Sequence, residues 1–251
     1  MADRPRVFVS RVLPGGDGPD SPIARLRAAA DVDLWDGGDP PPADVLRERL
    51  AEADGVLTML TERIDAALLA AVPRLRVVSN LAVGFDNIDV PACSARGVLV
   101  TNTPGVLDET TADMAFALLL AAARRLPEAE RAIREGAWGQ WHPTWMLGHQ
   151  VSGATLGIVG PGRIAAAVAR RAQGFGMKVL YFGRREVAGF PGERATLPEL
   201  LAKSDFVSVH VPLNAETAGF CNADFFAAMK PSAIFVNTAR GPVVDQDALI
   251  E

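Results

Sequence analysis

The first hundred residues alternate between short apolar runs and segments with helical spacing, and this alternation constrains the fold most strongly. The apolar runs predict strands at residues 7–10, 32–35, 55–60, 76–80 and 98–102. The segments between them predict helices at residues 22–30, 42–53, 65–71 and 90–96. Pro42 suits a first helical turn, and Gly97 suits the position after a helix end. Alternating strands and helices predict an α/β fold, with a parallel sheet covered by helices on both faces.

A second series of the same kind occupies the last hundred residues. Its strands are predicted at residues 155–159, 178–182, 206–211 and 233–237, with a short one near 194–197. Between the two series, residues 108–126 predict one long helix that ends in Arg124 and Arg125, and residues 127–135 predict a second helix. The apolar face of the long helix is nearly continuous, which predicts burial between layers or at an interface.

Length and composition narrow the class of protein. The 251 residues are 49% hydrophobic and 22% charged, which excludes a disordered or collagen-like chain. This length suits one to two domains, which the patterns place at residues 1–102 and 103–251. The net charge of −5 argues against a nucleic-acid partner. With only Cys93 and Cys221, no disulfide framework is implied, and a reducing compartment is expected.

The sequence contains neither a targeting pattern nor a membrane-spanning pattern. Residues 1–6 lead directly into a strand and lack the apolar core and cleavage site of a signal peptide. The longest apolar run, residues 114–123, is much shorter than the roughly 20 residues that span a bilayer. We therefore expect a cytoplasmic globular protein with no membrane partner, and we expect no metal site.

Three of the four tryptophans lie within eight residues, at Trp138, Trp141 and Trp145. Two interpretations are open. The side chains can pack into a local core, or they can form an interface or a ligand wall, because tryptophan is enriched in binding hot spots.

A glycine-rich turn at residues 157–165 indicates a dinucleotide site. The sequence GIVGPGRIA matches G-x-G-x-x-G/A, follows an apolar strand and opens an apolar-striped helix. In such a loop Gly160 allows the tight turn, Gly162 lets the backbone approach a pyrophosphate, and Ala165 keeps the helix close to the strand. The helix N-terminus then offers N–H groups and partial positive charge to the phosphates.

The residues after the next strand indicate which dinucleotide is bound. An NAD site places Asp or Glu there to hold the ribose 2′-hydroxyl, but this strand is followed by Arg184 and Arg185. Arginine pairs well with a 2′-phosphate, so we expect NADPH to be preferred over NADH, with Arg184 as the stronger candidate. The alternative is a solvated surface pair.

Five segments together resemble the D-2-hydroxyacid dehydrogenase family, most closely its glyoxylate/hydroxypyruvate reductase branch. They are NLAVGFDNID at 80–89, ETTAD at 109–113, the glycine loop, SDF with HVPL within 204–213, and FVNTARG at 235–241. The resemblance extends from Val7 to Glu251. It implies two doubly wound parallel-sheet domains: a flavodoxin-like substrate domain, then a Rossmann dinucleotide-binding domain that is incomplete at its C-terminal end.

The resemblance also implies roles for individual residues. The N–H groups of Val83 and Gly84 would hold the substrate carboxylate, and Leu60 would line the substrate pocket. Arg240 would pair with the same carboxylate and polarise the carbonyl. Trp141 would reach into the site of a neighbouring subunit, so a homodimer is implied. The implied cofactor contacts, together with those of the glycine loop, are Gly160, Gly162, Arg163, Ile164, Pro212, Thr238 and Ala239.

Elementary chemistry agrees with the role implied for Arg240. A 2-oxo acid presents a carboxylate beside a carbonyl, and the planar guanidinium fork suits that pair. The negative charge that develops on the carbonyl oxygen needs a donor already in place. The alternatives are a surface arginine at position 240 and a plain tight turn at residues 83–84.

One component of a ketone reductase is missing. Reduction of a ketone also needs a proton donor. In the family that this sequence resembles, a His and a Glu downstream of the arginine motif fill this role. This sequence ends eleven residues after Arg240. Of its three histidines, neither His142, His149 nor His210 is expected to substitute. We therefore expect a chain truncated at its C-terminus with little or no turnover, because losing general acid catalysis costs about 10²–10⁴-fold.

Two other functions compete with a reductase of glyoxylate or hydroxypyruvate. One is a non-catalytic dinucleotide-binding or regulatory protein of the same fold, since fold alone does not fix function. The other is a family dehydrogenase for formate, phosphite, D-lactate or a D-glycerate-like substrate. The sequence does not rank glyoxylate against hydroxypyruvate.

Overall fold

The computed structural model describes residues 4–16 and 18–251, so Met1, Ala2 and Asp3 of the segment examined for a signal peptide lie outside the described residues. The chain forms two compact units, Met1–Val106 and Leu107–Glu251. Each unit is built around a five-stranded sheet in which every pairing is parallel. The predicted α/β class with two parallel sheets is therefore confirmed.

The first unit contains all the strands and helices predicted for it, with ends shifted by up to three residues. Its strands are β1 (Arg6–Val9), β2 (Asp31–Leu34), β3 (Gly55–Thr58), β4 (Val77–Asn80) and β5 (Leu99–Thr101). Its helices are α1 (Pro22–Ala29), α2 (Ala43–Leu50), α3 (Ala66–Ala71) and α4 (Val90–Ala95). The strand order is β2-β1-β3-β4-β5, the flavodoxin-like order. Gly97 follows the end of α4 with φ +70°, as predicted, whereas Pro42 is the N-cap of α2 rather than part of its first turn.

Alternating side chains divide the core of the first unit between the two faces of its sheet. Phe8, Val56 and Val78 face the helices α2, α3 and α4. Val9 and Leu57 face α1 on the other side. Beyond α1, that second face carries an open groove of about 690 Å³, where Leu99 at the end of the sheet is 66% exposed.

The second unit contains five strands and six α-helices among the described residues. The strands are β6 (Thr155–Val159), β7 (Lys178–Phe182), β8 (Glu193–Arg194), β9 (Phe206–Val209) and β10 (Ile234–Asn237). The helices are α5 (Asp108–Ala123), α6 (Leu126–Arg134), α7 (Arg163–Gly174), α8 (Leu197–Lys203), α9 (Ala223–Ala227) and α10 (Gln246–Ile250). The strand order is β10-β9-β6-β7-β8, so β6 lies at the centre, where the two halves of a doubly wound sheet meet.

The helix predicted over residues 108–126 is two helices, and proline explains the correction. α5 ends at Ala123, and α6 begins at Leu126 with Pro127 in its first turn. A continuous helix would bring the Pro127 ring against the carbonyl of Ala123. Instead, Arg125 takes a left-handed conformation with φ 54°, and the Ala123 carbonyl accepts the N–H of His149.

The short strand predicted near residues 194–197 ends at Arg194, and Leu197 begins a helix that was not predicted. Thr196 and Glu199 form a reciprocal capping box at its start, with Pro198 in the first turn.

α5 is buried on one side only. Ala115, Phe116 and Leu119 lie in the core of the second unit, which also contains α7 and β6. Met114 and Leu118 on the opposite side are exposed. Among the described residues, no helix is both long and apolar enough to cross a membrane.

Candidate dinucleotide and substrate site

The glycine loop follows β6 directly, and its first turn requires glycine. Gly160 has φ +93°, and a Cβ there would lie 2.9 Å from the carbonyl carbon of His210. Its N–H donates to the carbonyl of Phe182 at the end of β7. Gly160 is therefore enclosed by the backbone of the strands on both sides of β6, which leaves no room for a side chain.

Beyond this turn, the structure has an open space in front of a helix N-terminus. α7 begins at Arg163, its N-cap Gly162 provides no side-chain cap, and a Cβ on Gly162 would meet no atom within 4 Å. Ala165 is fully buried in the core, so the helix packs closely on the sheet. Ile164 is packed against the same core and Arg163 is exposed. Uncapped N–H groups facing open space suit a pyrophosphate, so these residues fit a dinucleotide.

The position of this space in the sheet matches the rule for ligand sites in open α/β folds. β6 pairs with β7 on one side and with β9 on the other, so the crossover direction reverses at β6. Ligands bind at the carboxyl ends of the strands at such a point. The segments that follow β6, β9 and β10 all leave the sheet at this edge. They contain most of the predicted cofactor residues.

The turn after β7 packs against the glycine loop. A Cβ on Gly183 would lie 2.6 Å from Cδ of Pro161, so the backbone at Gly183 touches the loop. The two arginines that follow, Arg184 and Arg185, are both exposed. The guanidinium Nη1 of Arg184 lies 3.2 Å from Oε2 of Glu216, a carboxylate that sequence reasoning did not connect with it.

The segment after β9 carries a partly buried histidine, His210. Nε2 of His210 lies 2.9 Å from the hydroxyl of Ser208, and burial lowers the pKa of the imidazole to about 4. His210 is therefore uncharged at neutral pH. Pro212 is exposed, and its carbonyl accepts the hydroxyl of Thr217 at 2.6 Å.

A turn built by Asn237 orders the residues after β10. Its side-chain oxygen accepts the N–H of Ala239 at 2.9 Å, and its amide group donates to the carbonyl of Arg240, also at 2.9 Å. Nη1 of Arg240 donates to the carbonyl of Ala239 at 2.8 Å. The hydroxyl of Thr238 is buried and has no hydrogen-bond partner within the part of the chain that the structure describes. An unpaired buried hydroxyl suits a polar ligand at this turn.

In the first unit, the predicted substrate residues follow β3 and β4. The carbonyls of Val83 and Gly84 accept hydrogen bonds from Asn102 and Asn80. No hydrogen bond joins the N–H of Val83 or Gly84 to another residue within 4–16 and 18–251, so both donors are available to an anion. Leu60 is 43% exposed after the end of β3.

A polar network that was not predicted fixes the loop around Leu60. The carboxylate of Glu62 is buried and accepts the hydroxyl of Ser10 at 2.8 Å and the N–H of Met59 at 2.6 Å. The side chain of Asn87 donates to the carbonyls of Met59 and Glu62, both at 2.8 Å. Because Asn87 lies in the loop that contains Val83 and Gly84, one network holds the turns after β3 and β4. No periodic signal marks Glu62.

Trp141 lies in the irregular segment after α6 and is 78% exposed. Trp138 and Trp145 are also exposed, so the interpretation of these side chains as a local core is wrong. The interface or ligand-wall interpretation is the one that remains.

Comparison with known proteins agrees with this fold and site. Residues 116–251 match the family model "D-isomer specific 2-hydroxyacid dehydrogenase, NAD binding domain". Glyoxylate reductase from Korarchaeum cryptofilum is 51% identical over 98% of this chain, which covers 74% of that relative.

Two solved structures are also similar. TT0316 protein from Thermus thermophilus has a TM-score of 0.90 and 43% identity, covering 98% of this chain and 77% of its own. An NADPH-dependent glyoxylate/hydroxypyruvate reductase from Sinorhizobium meliloti, in complex with NADP and malonate, has a TM-score of 0.82 and 32% identity, with 99% and 75% covered. The matches extend through both units at high identity, and the chain therefore belongs to the D-isomer specific 2-hydroxyacid dehydrogenase family.

Proposed function

We propose that this protein reduces a small 2-oxo acid, glyoxylate or hydroxypyruvate, to the D-2-hydroxy acid with NADPH as the hydride donor. The observation that carries the proposal is that Arg240 follows a strand at the same edge of the sheet as the glycine loop, which is the candidate dinucleotide site. Arg240 follows β10 and the glycine loop follows β6, at the same edge of one sheet. The names of the similar proteins from Korarchaeum and Sinorhizobium support a substrate of this class.

The dinucleotide supplies the hydride, and the residues of the second unit would hold it. The N–H groups at the start of α7 would face the pyrophosphate, and Arg184 and Arg185 would face the 2′-phosphate. Both forms of the cofactor occur among the similar proteins, since the family model is named for NAD and the Sinorhizobium structure contains NADP. The proposed contacts are Gly160, Gly162, Arg163, Ile164, Arg184, Arg185, Pro212, Thr238 and Ala239.

The substrate would be held by charge and by backbone donors. Arg240 pairs with the carboxylate and polarises the neighbouring carbonyl, where negative charge develops during reduction. In the first unit, we assign the N–H groups of Val83 and Gly84 to binding a substrate carboxylate and Leu60 to lining the substrate pocket. We accordingly assign the first unit to the substrate and the second to the dinucleotide.

None of the three histidines suits the role of proton donor beside Arg240. His210 is partly buried and uncharged at neutral pH. His149 lines a small cavity with Asp205, whose carboxylate binds the N–H of Thr155 at the amino end of β6, opposite to the edge that carries Arg240. His142 is exposed within the tryptophan segment. We therefore expect the 251-residue polypeptide to bind NADPH and to turn over slowly.

We also propose that the protein is a homodimer of the cytoplasm. Exposed apolar side chains on α5, on α6 and in the tryptophan segment provide an apolar surface on the second unit, and Trp141 would contact the partner. These side chains are Met114, Leu118, Leu126, Ile133, Trp138, Trp141, Trp145 and Leu147. Two buried free thiols, Cys93 and Cys221, suit a reducing compartment.

The decisive experiment combines titration with turnover at high protein concentration. NADPH binding is measured by fluorescence, and NADPH oxidation is then followed with glyoxylate or hydroxypyruvate, using D-lactate, formate and phosphite with NADP as comparisons. We expect slow oxidation of NADPH that depends on the 2-oxo acid and is lost in Arg240→Gln, while dinucleotide affinity stays within about twofold. Tight binding without any oxidation, unchanged by Arg240→Gln, would instead indicate a dinucleotide-sensing protein.

A further inference from the structure

Contacts with two other segments of the chain fix the position of the loop that contains Arg184. Gly183 rests on Pro161 of the glycine loop, as the 2.6 Å approach of a Cβ at that position shows. Phe182 stacks on Phe220, with ring centroids 6.5 Å apart and planes 15° apart. The end of β7 is therefore held between the glycine loop and the segment that follows β9.

The backbone that carries Glu216, the residue paired with Arg184, is also held in place by its own turn. The N–H of Glu216 donates to the side-chain oxygen of Asn214 at 2.9 Å, and the hydroxyl of Thr217 donates to the carbonyl of Pro212 at 2.6 Å. The turn starts next to Pro212, one of the proposed cofactor contacts. The backbone of Glu216 is therefore fixed near Arg184 by hydrogen bonds that do not involve Arg184.

The Arg184–Glu216 ion pair contributes little to the stability of the fold. The two side chains are 86% and 72% exposed, and exposed ion pairs of this kind contribute little to folding. Its effect on a ligand is larger, because a 2′-phosphate carries about −1.5 to −2 charges near neutral pH. To bind Arg184, that phosphate has to break the ion pair between Arg184 and Glu216. It then lies close to the negative carboxylate of Glu216, which repels it.

We propose that Glu216 limits the preference for NADPH by competing with the 2′-phosphate for the guanidinium of Arg184. This inference rests on the proposed function, in which Arg184 binds that phosphate. It assigns to Glu216 a role in specificity for the cofactor, with no role in catalysis. NADH has an uncharged 2′-hydroxyl at that position, so its affinity should depend much less on Glu216 than the affinity for NADPH does.

The test uses two ligands that differ only in the phosphate, 2′-phospho-ADP-ribose and ADP-ribose. Calorimetric titration of the 251-residue protein gives both affinities for wild type, Glu216→Gln and Arg184→Met. Glu193→Gln is the matched control, because Glu193 forms another exposed ion pair, with Lys178 at the start of β7. It removes the same charge from the second unit, at the opposite end of β7 from Arg184.

We expect Glu216→Gln to tighten binding of 2′-phospho-ADP-ribose about threefold to tenfold and to leave ADP-ribose unchanged. The gain should shrink at 0.5 M salt, where exposed charges are screened. Glu193→Gln should change neither ligand, and Arg184→Met should weaken only the phosphorylated one and reduce the effect of Glu216→Gln.

Failure of this inference can be told apart from failure of the proposed cofactor preference. If Arg184→Met weakens the phosphorylated ligand but Glu216→Gln changes nothing, or changes both ligands equally, the role of Glu216 is wrong and the NADPH proposal stands. If the wild type does not distinguish the ligands but Glu216→Gln does, the competition is real and the wild-type preference is wrong. If no variant distinguishes them, both proposals are wrong.

Discussion

At the scale of single residues, the glycine loop contains two glycines whose reasons to be glycine are different. Gly160 is required by the fold, because its backbone is left-handed and a Cβ would meet the backbone of His210. Gly162 has ordinary extended angles and an open Cβ position, so the fold does not require it. Because glycine has no side chain, position 162 leaves space where the phosphates would lie.

The two positions should therefore respond oppositely to alanine. Gly160→Ala is expected to lower the free energy of unfolding by at least about 2 kcal/mol, from left-handed strain and the backbone clash. Gly162→Ala is expected to leave stability within about 0.5 kcal/mol and to weaken NADPH binding at least tenfold. Urea denaturation and NADPH titration measure the two effects. A stability loss in Gly162→Ala equal to that in Gly160→Ala would contradict this division.

His210 makes stability depend on pH in a predictable direction. Burial lowers its pKa from 6.5 to about 4, so the unfolded chain takes up the proton first and protonation favours unfolding. The stabilisation is complete above about pH 6.5 and falls by about 1.4 kcal/mol per pH unit as the pH drops toward 4. Unfolding measured between pH 7 and 5 should show this slope in wild type but not in His210→Gln. The exposed His142 is the control position, and His142→Gln should keep the slope.

At the scale of elements, α5 and α7 are joined by packing inside and by charge outside. Arg171 on α7 contacts the carboxylates of Glu109 and Asp113 on α5 and donates to two backbone carbonyls. Its side chain is mostly buried, unlike that of its neighbour Arg170, which contacts Glu109 through an exposed ion pair. The hydrogen bond from Arg171 lowers the pKa of the Glu109 carboxyl below its usual value.

Removing Arg171 should loosen this pair of helices. Arg171→Met is expected to lower the free energy of unfolding by about 1 kcal/mol, with a smaller loss in 1 M salt. Arg170→Met, which removes the exposed ion pair, should lose much less. Thermal unfolding at low and high salt measures both. Equal losses in the two variants would mean that the contacts of Arg171 stabilise the helix pair no more than the single ion pair of Arg170.

The elements that could be predicted are those with a signal inside a short stretch of sequence. Buried strands are continuous apolar runs. The nine positions of the glycine loop include Gly160 for the tight turn, Gly162 for the approach to the phosphates and Ala165 for close packing of the helix. α8 and α9, with seven and five residues, are too short for helical periodicity to show. The network of Glu62 with Ser10 and the pairing of Arg184 with Glu216 join residues that are far apart in sequence. They exist only because the strands carry these residues to neighbouring turns.

At the scale of the whole molecule, the exposed apolar side of α5 tests the proposed homodimer. Leu118→Glu is expected to convert a dimer into a monomer in sedimentation analysis at micromolar concentration, because it places a charge in an apolar interface. Leu99→Glu, an exposed apolar position in the first unit, is the matched control and should stay dimeric. A wild-type monomer would refute the dimer directly.

The central strands pair with partners that are distant in the chain, and this has a consequence during synthesis on the ribosome. In the second unit Leu156 of β6 aligns with Phe206 of β9, which is translated 50 residues later. At a translation rate of about 5–20 residues per second, one edge of β6 remains unpaired for several seconds. The first unit has all five strands translated before β6 begins. The nascent chain should therefore present a finished first unit and, behind it, an apolar unpaired strand that a chaperone can bind.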